Sequence, residues 1–305
     1  MTGGAHVAPR EGRTTGGFHV APGEGRTTGG FRIMGVVNVT PDSFSDGGRY
    51  SEPEAAIAHG LELVAQGASI LDIGGESTRP RAEPVSAAQE LRRILPVIEG
   101  LMSAGTLAQI SIDTSKAAVA AAALAAGATF VNDVTALRGD PEMAGLVAGS
   151  GADCCLMHMR GEPRTMQLDP RYADVVDDVK AFLAERLAFA IEGGVARERI
   201  MLDPGIGFGK TWEHNLELLA RLEELVAIGR PVVIGSSRKG FLGAITGRAV
   251  DDRVAGTIAT NVLAYERGAR VFRVHDVAPV HDALAVTAAT VTVPWATRTP
   301  TSSTR

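Results

Sequence analysis

Short apolar runs recur along the chain, and each one stops at a polar residue or a glycine turn. VVN ends at Asn38, ILDIGGEST runs out through Asp72 to Thr78, and ISID ends at Asp113. FVND passes Asn132, CLMH ends at His158, and IMLDPG breaks at Asp203. VVIGSSRK turns polar from Gly235 to Lys239, and VFRVHD closes with Arg273 to Asp276. Eight short β-rich runs alternating with helical stretches predict βα units closed into a parallel (β/α)8 TIM barrel of the α/β class. All strand C-termini of such a barrel open on one face, so these polar ends are expected to converge on one mouth.

The pattern places strands at 33–37, 69–73, 109–112, 129–131, 153–157, 199–202, 231–234 and 270–274. Helices are expected from 51, at 86–102, 116–126, from about 140, and at 172–192, 213–228, 251–266 and 279–287. SEPE at Ser51 supplies an N-cap, a first-turn proline and an acid near the positive end of the helix dipole. The longest connections, 40–49, 77–85 and 159–171, all follow strands and are candidate lids on the functional face.

Composition narrows the class. With 305 residues and 45% hydrophobic content, one large core is expected, spanning 32–290. A net charge of −5 and basic residues without a long run give no footprint for nucleic acid. No apolar stretch is long enough to cross a membrane, and the start is glycine-rich and charged, so a cytoplasmic protein is expected. The only cysteines, Cys154 and Cys155, are adjacent in a strand and point to opposite faces, which argues against a disulfide or a metal pair. GGAHVAPREGRTT at 3–15 recurs almost unchanged at 16–28, so 1–31 is expected to be a disordered extension, and 291–305 a flexible tail.

The strand ends carry the chemistry. Asp113, Asn132 and Asp203 form a carboxylate and amide set that can hold a flat heterocycle with a guanidine-like edge, each carboxylate accepting two parallel N–H bonds. The plainer reading of Asp113, in ISIDTSK, is a cap on the following helix. Asp203 opens DPGIGFGK, whose glycines leave Phe208 as a pocket wall or an ordinary core aromatic; the spacing is one residue short of a P-loop. Ser236, Ser237, Arg238 and Lys239 end strand seven, and Arg273 and His275 end strand eight, where barrels commonly bind phosphate. This cationic corner suggests a diphosphate; the alternative is that Arg238 and Arg273 pair with rim acids such as Asp276. His158 reads equally as a ligand or as a satisfied interior histidine. Asn38 offers a hard amide oxygen suited to Mg²⁺ beside bound phosphate.

Taken together, MGVVNVTPDSFSDGG at 34–48, DIGGESTRP at 72–80, SIDT, NDV, DPGIGFGK, GSSRKGFLG and RVHDV resemble the dihydropteroate synthase family over about residues 33–290. The resemblance implies a usually dimeric barrel that joins p-aminobenzoate to 6-hydroxymethyl-7,8-dihydropterin diphosphate and releases diphosphate with Mg²⁺. It implies pterin contacts from Asp113, Asn132, Asp203 and Lys239, and diphosphate contacts from Thr78, Arg273 and His275. Asn38 matches the metal ligand, and Phe44, Arg79, Pro80, Phe208 and Ser237 match the surroundings of the p-aminobenzoate pocket. Asp113, Lys239, Arg273 and His275 are the implied catalytic set. Only the amino-terminal repeat departs from the family pattern; it suits a rearranged gene and raises a sulfonamide-insensitive variant as one reading. Two rivals remain at this stage, a methyltetrahydrofolate-binding barrel of a corrinoid methyltransferase and a non-catalytic pterin-binding barrel.

Overall fold

The computed structural model describes residues 30–40, 52–77, 83–162 and 164–292. Eight strands run in chain order: β1 Arg32–Asn38, β2 Ile70–Gly74, β3 Gln109–Asp113, β4 Phe130–Asp133, β5 Asp153–Met157, β6 Ile200–Asp203, β7 Val233–Ile234 and β8 Val271–Val274. All pair in parallel, in the spatial order β6-β5-β4-β3-β2-β1-β8-β7, and a bridge between Leu202 and Val232 joins the two ends. The result is the expected (β/α)8 barrel.

Strand side chains alternate between two environments because successive Cβ atoms point to opposite faces. Ile33, Leu71, Ile110, Val131, Cys154, Leu202 and Phe272 face outward and join one large core with the surrounding helices. Met34, Ile70, Phe130, Cys155, Met201, Val233 and Val271 face inward and plug the lower barrel. Cys154 and Cys155 therefore lie in different clusters, both buried and free. Nearer the mouth, the inward positions of five strands, β2, β3, β4, β6 and β8, are Asp72, Asp113, Asn132, Asp203 and Arg273. The apolar plug is the floor on which the polar layer stands.

Several helices start at side-chain caps. Ser86 accepts from Gln89 N in a capping box that opens Ala87–Ser103, and Thr211 does the same for Trp212–Ala220. Asp174 caps Val175–Glu192 by accepting from Val176 N and Asp177 N. The expected cap at Ser51 lies outside the described residues.

Four expectations change. The helix expected over 213–228 is two, Trp212–Ala220 and Leu222–Val226, broken at Arg221, whose guanidinium bonds Asp174, Glu217 and Glu224. A short helix, Gly240–Thr246, follows β7 where none was expected; its two glycines and seven residues hide it from periodicity. Phe31 belongs to the barrel and not to the extension, since its ring packs edge-on against Tyr265 at 6.1 Å between centroids. The last helix, Val277–Thr292, runs past the expected end at 287. The repeat at 1–28 and the tail from 293 lie outside the described residues.

Candidate active site

The barrel mouth holds a cavity lined by Asp113 and Asn132 from β3 and β4, Asp203 from β6, and Arg273 from β8. Lys239, Phe208, Met157 and Val134 complete its wall. The five polar strand-end residues anticipated from sequence thus meet in one place. Asp113 does not cap the helix that follows it: Asp140 accepts from Ala117 N at that helix start, 2.9 Å away. Its carboxylate accepts instead from Arg273 Nη2 at 2.7 Å. Burial, together with the nearby Asp72 carboxylate and despite Arg273, pushes Asp113 up to about 7.

The loop of DPGIGFGK is folded tightly against the end of β5. Asp203 accepts from Gly205 N at 2.7 Å, and burial raises its pKa. Gly205 and Gly209 have φ of +67° and +62°, and a Cβ at either would run into the carbonyl oxygen of His158 or Arg160. Lys210 folds back underneath, buried, donating to the carbonyls of Phe208 at 3.0 Å and Gly205 at 3.1 Å and facing His158 Nδ1 at 2.8 Å. Burial lowers Lys210 to about 7 and His158 to about 2. His158 is thus the satisfied interior histidine, and Lys210 is a brace for the loop.

That brace presents Phe208, whose ring lies 4.1 Å from Lys239 Nζ and packs on Val134, Met157, Met159 and Met166. Lys239 reaches this position because Arg238, with φ of +56°, turns the chain sharply after β7. The segment 159–171 differs from the expected lid. Met166 is buried against Met157 and Met159, Gln167 donates to Gly207 O at 2.6 Å, and Tyr172 OH donates to Gly209 O at 2.7 Å. Its described residues buttress the glycine loop.

The cationic corner is smaller than sequence suggested. Arg238 points to Asp276, with Nε 2.9 Å from its carboxylate, as the alternative reading had it. His275 is pushed down to about 3 by burial and by Arg273, so it enters as a neutral imidazole and not as a cation. Its Nδ1 lies 3.0 Å from Ser237 Oγ, which also accepts from His275 N at 3.2 Å. Ser237 is therefore placed beside His275 on the β7 and β8 side of the mouth. Arg273 keeps its charge, raised further by Asp72 and Asp113 against the pull of burial. Asn38 is half-buried where β1 ends, in register with Gly74. Phe44, Thr78, Arg79 and Pro80 lie outside the described residues.

Two residues to which the sequence assigned no role support this constellation. Asp72, fully buried inside β2, accepts from Ser111 Oγ at 2.6 Å, Asn132 Nδ2 at 3.0 Å and Arg273 Nε at 2.6 Å. Glu76 accepts from Val85 N at 2.9 Å and pairs with Lys116, tying together the two ends of the 77–85 segment. The parity of β2 was the available signal for Asp72, because Ile70, Asp72 and Gly74 share the inward face.

Comparison with known proteins agrees with this geometry. The pterin binding enzyme family model matches residues 34–275. The dihydropteroate synthase of Haemophilus influenzae is 43% identical over 259 residues, covering 85% of this chain and 94% of the relative. That of Mycobacterium leprae is 46% identical over 265 residues, covering 85% and 93%. The Xanthomonas albilineans dihydropteroate synthase solved with 4-aminobenzoic acid superimposes with a TM-score of 0.83 at 50% identity, covering 87% of this chain and 94% of that one. The same organism's enzyme with 7,8-dihydropteroate gives 0.80 at 47%, covering 88% and 97%. A Yersinia pestis dihydropteroate synthase in a sulfonamide complex gives 0.81 at 41%, covering 86% and 94%. These relatives do not favour the corrinoid-methyltransferase or non-catalytic readings. The chain belongs to the pterin binding enzyme family and, within it, to the dihydropteroate synthases, which are transferases.

Proposed function

We propose that this chain condenses 6-hydroxymethyl-7,8-dihydropterin diphosphate with p-aminobenzoate, giving 7,8-dihydropteroate and diphosphate. The convergence of Asp113, Asn132, Asp203, Lys239 and Arg273 on one cavity carries the reading. Two carboxylates and an amide complement the donor-rich edge of a pterin, and charge-assisted bonds of this kind contribute ~1.5–3 kcal/mol each. Arg273 and Lys239 supply the positive field in which a diphosphate departs.

In the reaction the bond between the pterin methylene carbon and the diphosphate oxygen breaks, and its electron pair leaves with diphosphate. The aniline nitrogen of p-aminobenzoate then donates its lone pair to the carbon and releases a proton. Arg273 and neutral His275 would stabilise the departing group, His275 as a hydrogen-bond donor through Nε2 when Ser237 holds Nδ1. Asp113, buried beside the ring, favours the carbocation-like methylene. An aniline nitrogen is weakly basic and needs no strong general base. Thr78 would contact the diphosphate, and Phe208 and Ser237, with Phe44, Arg79 and Pro80, would border the second substrate and exclude water, which would otherwise trap the cation as an alcohol.

Mg²⁺ would be held through Asn38, whose amide offers a single hard oxygen where β1 ends, with substrate phosphate and water as the other ligands; among the described residues no cluster of three His, Cys, Asp or Glu could hold a metal. When bound, it would neutralise charge on the diphosphate. We further propose a cytoplasmic homodimer; among the described residues no helix is long and apolar enough to cross a membrane. Sulfonamides would compete with p-aminobenzoate, and the ratio of their inhibition constant to its KM separates a sensitive enzyme from an insensitive one.

The test is diphosphate release with both substrates and Mg²⁺. Turnover requiring both substrates supports the proposal, and its absence in a folded preparation overturns it.

A further inference from the structure

We propose that Asp72 is the positioning residue that sets the polarity of the pterin pocket. The inference rests on the pterin reading of the cavity. Asp72 lies fully buried, in register with Ser111 on β3, beneath the lining residues. Two of its three partners, Asn132 and Arg273, belong to the cavity wall.

A carboxylate can only accept hydrogen bonds, so the atom of Asn132 that faces it must be the amino nitrogen. The amide is thereby locked, with Oδ1 turned to the pocket, and a ligand must bring an N–H to meet it. Arg273 is gripped at the same carboxylate oxygen through Nε. That grip fixes the plane of the guanidinium and keeps its terminal nitrogens at the mouth, where Nη2 meets Asp113. One buried acid thus orients the amide that reads the ring and the cation that faces the leaving group. Ser111 Oγ occupies the other oxygen of Asp72, so all three donors around this acid are accounted for without a ligand.

Asp72→Asn would put donors and an acceptor where only acceptors stood, so Asn132 and Arg273 lose their common reference. Ser111→Ala is the control, since Ser111 bonds the same carboxylate from outside the cavity. Expected for D72N, in folded protein, is at least a tenfold rise in the Kd for pterin diphosphate by calorimetry. A fall of at least tenfold in kcat should accompany it, with the KM for p-aminobenzoate unchanged. S111A should stay within about threefold of the parent in each. Equal effects of D72N and S111A, or unchanged pterin affinity in D72N, would overturn the proposal.

If D72N does not fold, a crystal structure of the unaltered chain with pterin diphosphate decides: Asn132 should keep its bond to Asp72 while its other amide atom meets a ring N–H. An Asn132 that swings away from Asp72 in that complex overturns the inference. Failure of the unaltered chain to bind pterin diphosphate would instead strike the functional reading. In that case a ligand-free structure of D72N, or of Asp72→Ser where D72N does not fold, still tests whether Asn132 and Arg273 lose their orientation.

Discussion

On the side of the mouth built from β2, β3 and β8, half-buried Arg273 faces two carboxylates, whereas on the side built from β5 and β6, buried Lys210 is held by partners that are all neutral. The consequences are opposite. Arg273 is driven further into its charged form, and one of the acids sharing it, Asp113, is left reaching for a proton. Lys210 is pulled down to about 7 and bonds backbone carbonyls instead of an acid. One half keeps a fixed charge between two acids at the mouth; the other uses a weakened charge as a fastener for a glycine loop. The comparison teaches that what surrounds a cation at the mouth decides whether its charge is reinforced by acids or weakened among backbone carbonyls.

The largest expected effect breaks the charged half. Arg273→Met leaves Asp72 and Asp113 without their shared cation, and removing one member of a buried ion pair costs ~3–5 kcal/mol. Urea unfolding at pH 7.5 should show a loss of this size, with turnover abolished. A loss below 1 kcal/mol would mean that the two acids do not depend on the guanidinium.

Asp203 ends β6 on the Lys210 side, accepting from Gly205 N while lining the cavity. Asp203→Asn replaces an acceptor with an amide that must aim a donor at one of its N–H neighbours. Pterin diphosphate affinity should fall about 10- to 100-fold, on the order of the charged hydrogen bonds lost. Unchanged affinity in a calorimetric titration would remove Asp203 from the ligand contacts.

Lys210→Met should cost less, about 1–3 kcal/mol, because it strands neutral carbonyls and no charge. The KM for the pterin substrate should rise more than kcat falls, since Phe208 loses its support but Arg273 does not. A kcat loss as large as that of Arg273→Met would erase the distinction between the halves.

What the sequence made legible follows the same division. Asp113, Asn132, Asp203, Lys239 and Arg273 were readable because each marks the point where an apolar strand ends. Asp72 was visible as the polar break in ILDIG but its role was not, since that depends on three neighbours from other strands. The role of Lys210 was hidden for a different reason: the spacing argued against a phosphate loop, but nothing in the sequence showed the chain folding over the lysine. The buttress at 159–171 was equally invisible, because Met166 and Gln167 act through contacts that periodicity does not encode. The neutral state of His275 required knowing its burial beside Arg273.

The smallest effect, and the sharpest comparison, is the pH dependence of stability. Asp113 is raised from 3.8 to about 7 in the folded chain, so between those values the native state binds more protons, and its contribution to stability is lost as pH rises through that window. Lys210 is lowered from 10.5 to about 7, so between those values the unfolded chain binds more protons, and its contribution rises with pH. Each slope is bounded by ~1.4 kcal/mol per pH unit, and the two lie in adjoining windows with opposite signs. Asp113→Asn should remove a falling contribution from the acidic limb, about pH 4 to 7, where lowered His158 and His275 contribute a rising one, and Lys210→Met should remove only the rising contribution to the alkaline limb above about pH 7. Urea midpoints measured across pH 4 to 10 for the parent and both variants would read the two limbs separately. If Asp113→Asn altered the alkaline limb instead, the two halves of the mouth would be one coupled network, and the contrast between the paired and the braced cation would fail.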